Sequence, residues 1–244
     1  MKSPLVAFLA LFLFSISACQ SSRNTVKLSS EEKSKIKDFQ SLIPKKDNLY
    51  HVLIATSEGD MMVKLYNETP IHRDNFIQKV NEGYYDSLEF HRVINDFMIQ
   101  GGRPNPTADG TPHPYSKELI PAEFRTDQHI YHRRGALAAA RTNNPEKASS
   151  STQFYIVQRK PYTLPQLEEH AEERELTLND FQKELYTSIG GTPHLDGAYT
   201  VYGELENGFD VLDKIASTTT DEKDQPTTAI RMKMYLLNQP KRLK

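Results

Sequence analysis

The chain has one cysteine, Cys19, among its 244 residues. A single cysteine excludes an intramolecular disulfide, so an exported domain would have to stand on its own core. Tryptophan is absent. An excess of charge of either sign is also missing, since 32 acidic residues against 30 Lys and Arg give a formal charge of −2. No basic face follows, and nucleic acid is not an expected partner. No HExxH pair, glycine-rich phosphate loop or nucleophile elbow occurs, so neither a metal nor another cofactor is expected. His129 and His132 stand close together without carboxylate or cysteine partners in sequence. Beyond the N-terminus no apolar run is long enough to span a bilayer. There is no internal repeat, and the length suits one large β-rich domain.

The first residues carry a different signal. Lys2 is followed by an almost unbroken apolar run from Leu5 to Ile16, then by small residues at Ser17 and Ala18. The run is shorter than the ~20 residues of a spanning helix. That order makes residues 1–18 a secretory signal. Cys19 follows directly, which resembles the bacterial lipobox, whose cysteine becomes the lipidated first residue of the mature protein. The expectation is a membrane partner reached through a lipid anchor in the cell envelope of a Gram-negative-type bacterium. Gln20 is not acidic, which by analogy with enteric sorting favours the outer membrane, on its periplasmic side. Residues 19–47 read as lipidated N-terminus, tether and short helix. Ser29 and Glu32 have capping-box spacing, Ile36, Phe39 and Ile43 follow at helical steps, and Pro44 stops the run.

From Tyr50 the pattern becomes that of strands. His51–Ala55 and Met61–Tyr66 flank the turn signal Glu58-Gly59-Asp60 and read as a hairpin. Thr69 as N-cap and Pro70 at the first position open a helix with Ile71, Phe76, Ile77 and Val80 apolar, ended by Gly83. Arg103–Pro121 is rich in turn residues and is expected to be a long loop. Gln153–Gln158 reads as a strand, Gly208–Ile215 as a helix with Phe209, Leu212 and Ile215 apolar, and Thr228–Leu236 as a final strand. Between 159 and 193 two short helices are expected. The first opens at Thr163 with Leu167 and Ala171 on one face; the second carries Phe181, Leu185 and Ile189 at i, i+4 steps. The sum is an antiparallel β-rich domain with two packed helices and an inserted helical hairpin.

The most informative stretch is Phe90-His91-Arg92-Val93-Ile94-Asn95-Asp96-Phe97-Met98-Ile99-Gln100-Gly101-Gly102. Strand parity lets Arg92 and Gln100 face one surface, with Phe97 and Met98 as an apolar floor. His91 has the opposite parity and is expected to pack inside. Such a surface suits an extended peptide, with donors for its backbone and a pocket for one side chain.

These residues resemble the signature of the cyclophilins, the peptidyl-prolyl cis-trans isomerases. Gly135–Thr142, Ser149–Ile156 and Leu195–Gly203 resemble three further family segments in family order. The resemblance runs from about His51 to about Met234, interrupted by the 159–193 insert, which members of ordinary length lack. It implies a mainly β fold, a closed eight-stranded antiparallel barrel capped by two helices, over residues 48–240. It implies rotation about X-Pro peptide bonds, proline-containing polypeptides as partners and a monomer. In an exported protein the role would be to assist folding of exported chains. The alternative is a proline-peptide-binding chaperone or adaptor with incidental turnover. Both share every binding residue.

The resemblance also assigns the site. Arg92 aligns with the family's catalytic arginine. Phe97, Met98, Tyr155 and Leu195 align with its proline pocket, and Gln100 and Gln153 with amides that hold the peptide backbone or orient Arg92. Ala140 and Arg141 would contribute backbone groups. Gly110 aligns with a loop glycine beside the neighbouring pocket. His194, Tyr199 and Arg141 complete the substrate-binding set but depart from the tryptophan, histidine and asparagine that many members carry there. The insert is expected to lie beside the site and to affect substrate choice or partner contact rather than chemistry.

Overall fold

The computed structural model describes residues 28–107 and 109–239. The secretory signal, Cys19 and its expected lipid lie outside the described residues.

The chain opens with α1 (Ser30–Leu42), then the hairpin β1 (Tyr50–Thr56) and β2 (Gly59–Leu65), and α2 (Pro70–Asn81). The short signature strands β3 (Arg92–Ile94) and β4 (Met98–Gly101) follow. After them come β5 (Leu119–Ile120), β6 (Ala136–Ala139), β7 (Ser149–Ser150) and β8 (Phe154–Val157). The insert supplies α3 (Leu164–Glu173) and α4 (Asp180–Ser188), before β9 (Val201–Asn207), α5 (Phe209–Ala216) and β10 (Met232–Leu236). The final strand is thus shorter than its apolar alternation suggested, beginning at Met232 rather than Thr228.

Eight strands form one sheet in the order β10-β1-β2-β9-β6-β8-β4-β3, every pair antiparallel, while β5 and β7 pair separately. The sheet is a curled, open half-barrel, which corrects the closed barrel expected from the sequence. Its end strands, β3 and β10, do not pair as a ladder. β3 has three residues, and the N–H of its Val93 donates to the carbonyl of Asp224 at 2.8 Å instead of to a strand. The non-strand stretch Ser87–Phe90 spans the gap through backbone bonds to Ile230 and Met232, with one isolated bridge at Glu89–Arg231.

The main core fills one face of the sheet. Val52, Ile54, Val63, Leu65, Leu137, Phe154 and Ile156 meet Phe76 and Val80 of α2 and Leu212 and Ile215 of α5. Phe154 packs edge-on against Phe76 at 5.8 Å and Tyr85 at 5.6 Å, a geometry favoured by the ring quadrupoles. α1 covers part of the other face. Its capping box has both arms, and Ile36, Phe39 and Ile43 sit on Leu53, Met62 and Leu237. Hydrogen bonds from Lys233 and Tyr235 hold the Glu32 carboxyl down at about 2, tying this helix to β10.

Four local expectations change. The Thr69 side chain does not cap α2. Glu123, far along the chain, accepts from the N–H groups of Ile71 at 3.1 Å and His72 at 2.8 Å, a carboxylate at the positive end of the helix. On α2 the buried residues are His72, Phe76, Lys79 and Val80, while Ile71 is exposed. On α4 the buried face is Gln182, Leu185 and Tyr186, and Phe181 and Ile189 are exposed. The i, i+4 spacing of Phe181, Leu185 and Ile189 marked a stripe, but of its three residues only Leu185 is buried in the cluster with Tyr131, Tyr162 and Leu167. On α5, Phe209 likewise lies at the surface and Val211 is buried in its place.

Candidate active site

Register assembles the site. Arg92 of β3 lies opposite Gln100 of β4, Gln100 opposite Tyr155 of β8, and Tyr155 opposite Ala138 of β6. Side chains alternate across a strand, so this row shares one face. The neighbouring row, Val93, Ile99, Ile156 and Leu137, points into the main core. Asp96 takes a left-handed φ of 60° in the turn between β3 and β4, which brings Phe97 back beside the row.

The result is a cavity of about 110 Å³ lined by Arg92, Phe97, Met98, Gln100, Ala140, Arg141, Tyr155, Leu195 and Tyr199. Its floor is apolar: Met98 and Tyr155 are buried with Ala136, Ala138 and Ala140, and Phe97, Leu195 and Tyr199 pack around them half-buried. Of the three alanines in this layer, Ala140 lines the cavity itself.

Arg92 stands at the rim. Its Nε donates to Asp224 Oδ2 at 3.2 Å. Both side chains are about two-fifths exposed, so the pair orients the guanidinium more than it stabilises the fold. Asp224 also receives the Val93 N–H through its own carbonyl, so one loop residue holds both the backbone and the side chain of β3. Sequence reasoning missed Asp224, which lies 132 positions from Arg92 in a turn-rich loop without a motif.

Gln100 donates through Nε2 to Gln153 Oε1 at 3.3 Å, so the two amides hold each other and Asp224 holds Arg92. Gln153 borders the cavity without lining it. Ala140 has no free backbone group: its N–H donates to the Gln153 carbonyl at 2.9 Å, and its carbonyl accepts from Ser150 N–H at 2.9 Å. The backbone expected there is instead available at Arg141, which makes no backbone hydrogen bond among the described residues. The Arg141 side chain bends away, donating to the Ala198 carbonyl at 3.0 Å and lying over the Tyr199 ring at 4.6 Å.

His194 does not line the cavity but backs it, its ring stacked on Phe97 at 5.8 Å and 23°. Its Nδ1 meets Nε2 of His170, on α3, at 3.1 Å. Gly110 is not brought to the cavity. It is an exposed turn glycine with φ +81° whose N–H donates to the Thr107 carbonyl at 2.8 Å.

Residues 51–235 match the family model described as cyclophilin type peptidyl-prolyl cis-trans isomerase/CLD. The chain belongs to this family. A relative from Staphylococcus epidermidis, provisionally named as a peptidyl-prolyl cis-trans isomerase, is 36% identical over 184 residues, covering 74% of this chain and 87% of that protein. A Streptococcus pyogenes protein, provisionally named as a bifunctional phosphatase/peptidyl-prolyl cis-trans isomerase, is 39% identical over 180 residues. This chain spans 36% of that longer protein. Among solved structures, a Cryptosporidium parvum cyclophilin type isomerase shares the fold with a TM-score of 0.56 at 22% identity, covering 79% of this chain and 99% of that one. A second crystal structure of that protein, in the presence of the dipeptide Ala-Pro, gives a TM-score of 0.55 at 23% identity, with 76% and 98% covered.

The electrostatics of the cyclophilin site are simple. Burial, together with the neighbouring charge of Arg103, pushes His91 down to about 4, so this ring is neutral at pH 7 and buried as its parity predicted. Burial and the facing His170 hold His194 down to about 4. Burial raises the Tyr155 hydroxyl well above its usual range, and its oxygen has no partner among the described residues. At neutral pH the charge on the lining comes from Arg92 and Arg141.

Proposed function

We propose that this peptidyl-prolyl cis-trans isomerase acts on exported polypeptides at the cell envelope, with Arg92 as its catalytic group and a lipid on Cys19 as its anchor. The observation that carries the catalytic reading is the guanidinium of Arg92, oriented by Asp224 at the rim of a cavity with an apolar floor. Rotation about an X-Pro bond breaks no bond. Its barrier of about 18–20 kcal/mol is the resonance lost when the amide twists. In the twisted state the proline nitrogen regains a lone pair. A fixed cation aimed at it favours that state over the planar one, the condition for catalysis. Phe97, Met98, Tyr155 and Leu195 hold the ring, and the backbone of Arg141 and the Gln100–Gln153 pair suit the peptide on either side of it. A ~10⁵-fold acceleration needs only ~7 kcal/mol of such preference, and no nucleophile or metal is required.

The test is isomer exchange and affinity for one X-Pro peptide, both read by NMR. Arg92→Ala should slow turnover by about 10²–10³-fold while the dissociation constant changes little. Arg92→Lys should rescue only in part, because an ammonium lacks the planar fork. Equal loss of rate and affinity would instead support a passive proline-peptide binder. For the anchor, Cys19→Ser should move the protein from the membrane to the soluble fraction of the envelope, or stop its processing. A matured Cys19→Ser protein still pelleting with membranes would refute the anchor.

A further inference from the structure

The insert reaches the pocket wall from two sides. From α3, His170 Nε2 meets His194 Nδ1 at 3.1 Å, and the other face of the His194 environment is the Phe97 ring. From α4, Tyr186 donates its hydroxyl to Asp196 Oδ2 at 2.6 Å and Gln182 donates through Nε2 to the same oxygen at 3.0 Å. The other oxygen of Asp196 accepts from the backbone N–H of His132 at 2.9 Å and lies 3.0 Å from its Nδ1. The Asp196 side chain is 8% exposed, so a carboxylate there needs all these donors. Between the two held residues sits Leu195, which lines the proline cavity.

We propose that the insert is the positioning and specificity element of the proline pocket, with His170, Gln182 and Tyr186 fixing His194 and Asp196 and thereby the place of Leu195 and Phe97. The proposal rests on the isomerase reading of the site. An insert that only packed on the domain would be held by its apolar cluster of Tyr131, Tyr162, Leu167, Leu185 and Tyr186. Three polar side chains from two helices, all converging on the residues either side of one pocket residue, are not required for that packing. The imidazole pair also has a chemical consequence. One ring must donate and the other accept, so His170 selects the tautomer of His194. It thereby decides whether Nε2 of His194, which has no hydrogen bond among the described residues, offers a proton or a lone pair. Burial keeps Tyr186 protonated as a donor, with its hydroxyl pushed far above the usual tyrosine range.

The experiment compares His170→Leu, His170→Gln and Tyr186→Phe with the unmodified protein, using a panel of short X-Pro peptides with X varied. Affinity is read by NMR titration and turnover by isomer exchange. Removing one such hydrogen bond should weaken peptide affinity about 3- to 10-fold in His170→Leu and Tyr186→Phe, with saturated turnover within about 2-fold. The order of preference among the X residues should change, and His170→Gln should recover most of the affinity. The ¹⁵N shifts of the His194 ring should show a changed tautomer balance in His170→Leu. His170 is only half-buried, so this variant tests the idea even where Tyr186→Phe fails to fold. Unchanged affinity and X preference in a folded His170→Leu protein would overturn the proposal. So would loss of turnover at unchanged affinity, which would place the insert in the chemistry. An unmodified protein that binds the panel without accelerating exchange would refute the isomerase reading, while the affinity comparison would still decide the role of the insert.

Discussion

The two faces of β4, β8 and β6 are one residue apart in register and differ in what fills them. One face presents Ile99, Phe154, Ile156, Leu137 and Ala139 to a core closed by aromatic residues of α2 and its neighbours. The other presents Met98, Gln100, Tyr155, Val157, Ala136 and Ala138, closed by Phe97, Leu195 and Tyr199, none of which lies within a strand or α-helix. Large side chains meeting large ones leave no room on the first face. On the second, the loop residues Phe97, Leu195 and Tyr199 stand around a hollow that Ala140 does not fill. Strand alternation therefore creates both surfaces, and side-chain volume decides which becomes core and which becomes site.

The comparison breaks most severely at Phe154. Phe154→Ala should cost about 3–5 kcal/mol in urea unfolding, as for a fully buried aromatic whose neighbours cannot collapse into the space. A loss under ~1 kcal/mol would mean that this face does not carry the stability. On the other face, Arg92→Ala should raise the barrier to rotation by about 2.7–4 kcal/mol while unfolding stability stays within ~0.5 kcal/mol, since the side chain is part-exposed and its one ion pair is screened by solvent. Phe97→Ala should lower affinity and turnover at low peptide together, by roughly 10-fold, because the ring holds proline in both states. Asp224→Ala should reduce saturated turnover by only about 3-fold, since it removes an orienting hydrogen bond of an exposed pair. If Asp224→Ala were as damaging as Arg92→Ala, the loop and not the strand would set the catalytic geometry.

A separate test of the same comparison is the response to pH. His91 and His194 fall from the ordinary 6.5 to about 4 on folding, largely through burial. Between those values the unfolded chain binds more protons, so their contribution is complete above about 6.5 and lost progressively as pH falls toward 4. Unfolding midpoints measured from pH 7.5 to 4.5 should decline over that window. Stability that rose on acidification would contradict the neutral, buried rings.

Much of this was legible because it is local. The hairpin of β1 and β2 followed from alternation around Glu58-Gly59-Asp60. The capping box at Ser29 and the start of α3 after Thr163 followed from spacing alone. Arg92, Gln100 and Met98 could be placed on one face because parity is a property of neighbours in sequence. The illegible parts depend on residues distant in the chain. Nothing near Thr69 indicates that Glu123 will cap its helix. Nothing near Arg92 indicates Asp224. Ala140 and Arg141 are adjacent and both were expected to offer backbone groups, yet the Ser150 and Gln153 backbones take up the polar groups of the first and leave those of the second. The insert was expected beside the site, but its sequence gave no sign that Gln182 and Tyr186 grip Asp196.

By itself the sequence determined the five helices, the β1–β2 hairpin and the chemistry available on the signature strands, because φ/ψ preferences, caps and side-chain alternation act over a few residues. Only the tertiary structure decided that the sheet stays open, which side of α4 is buried, and that Asp224 orients Arg92. Each of those outcomes is a competition between partners far apart in the chain. Packing volume and the need to satisfy buried polar groups settle such competitions, and neither is written in any local pattern.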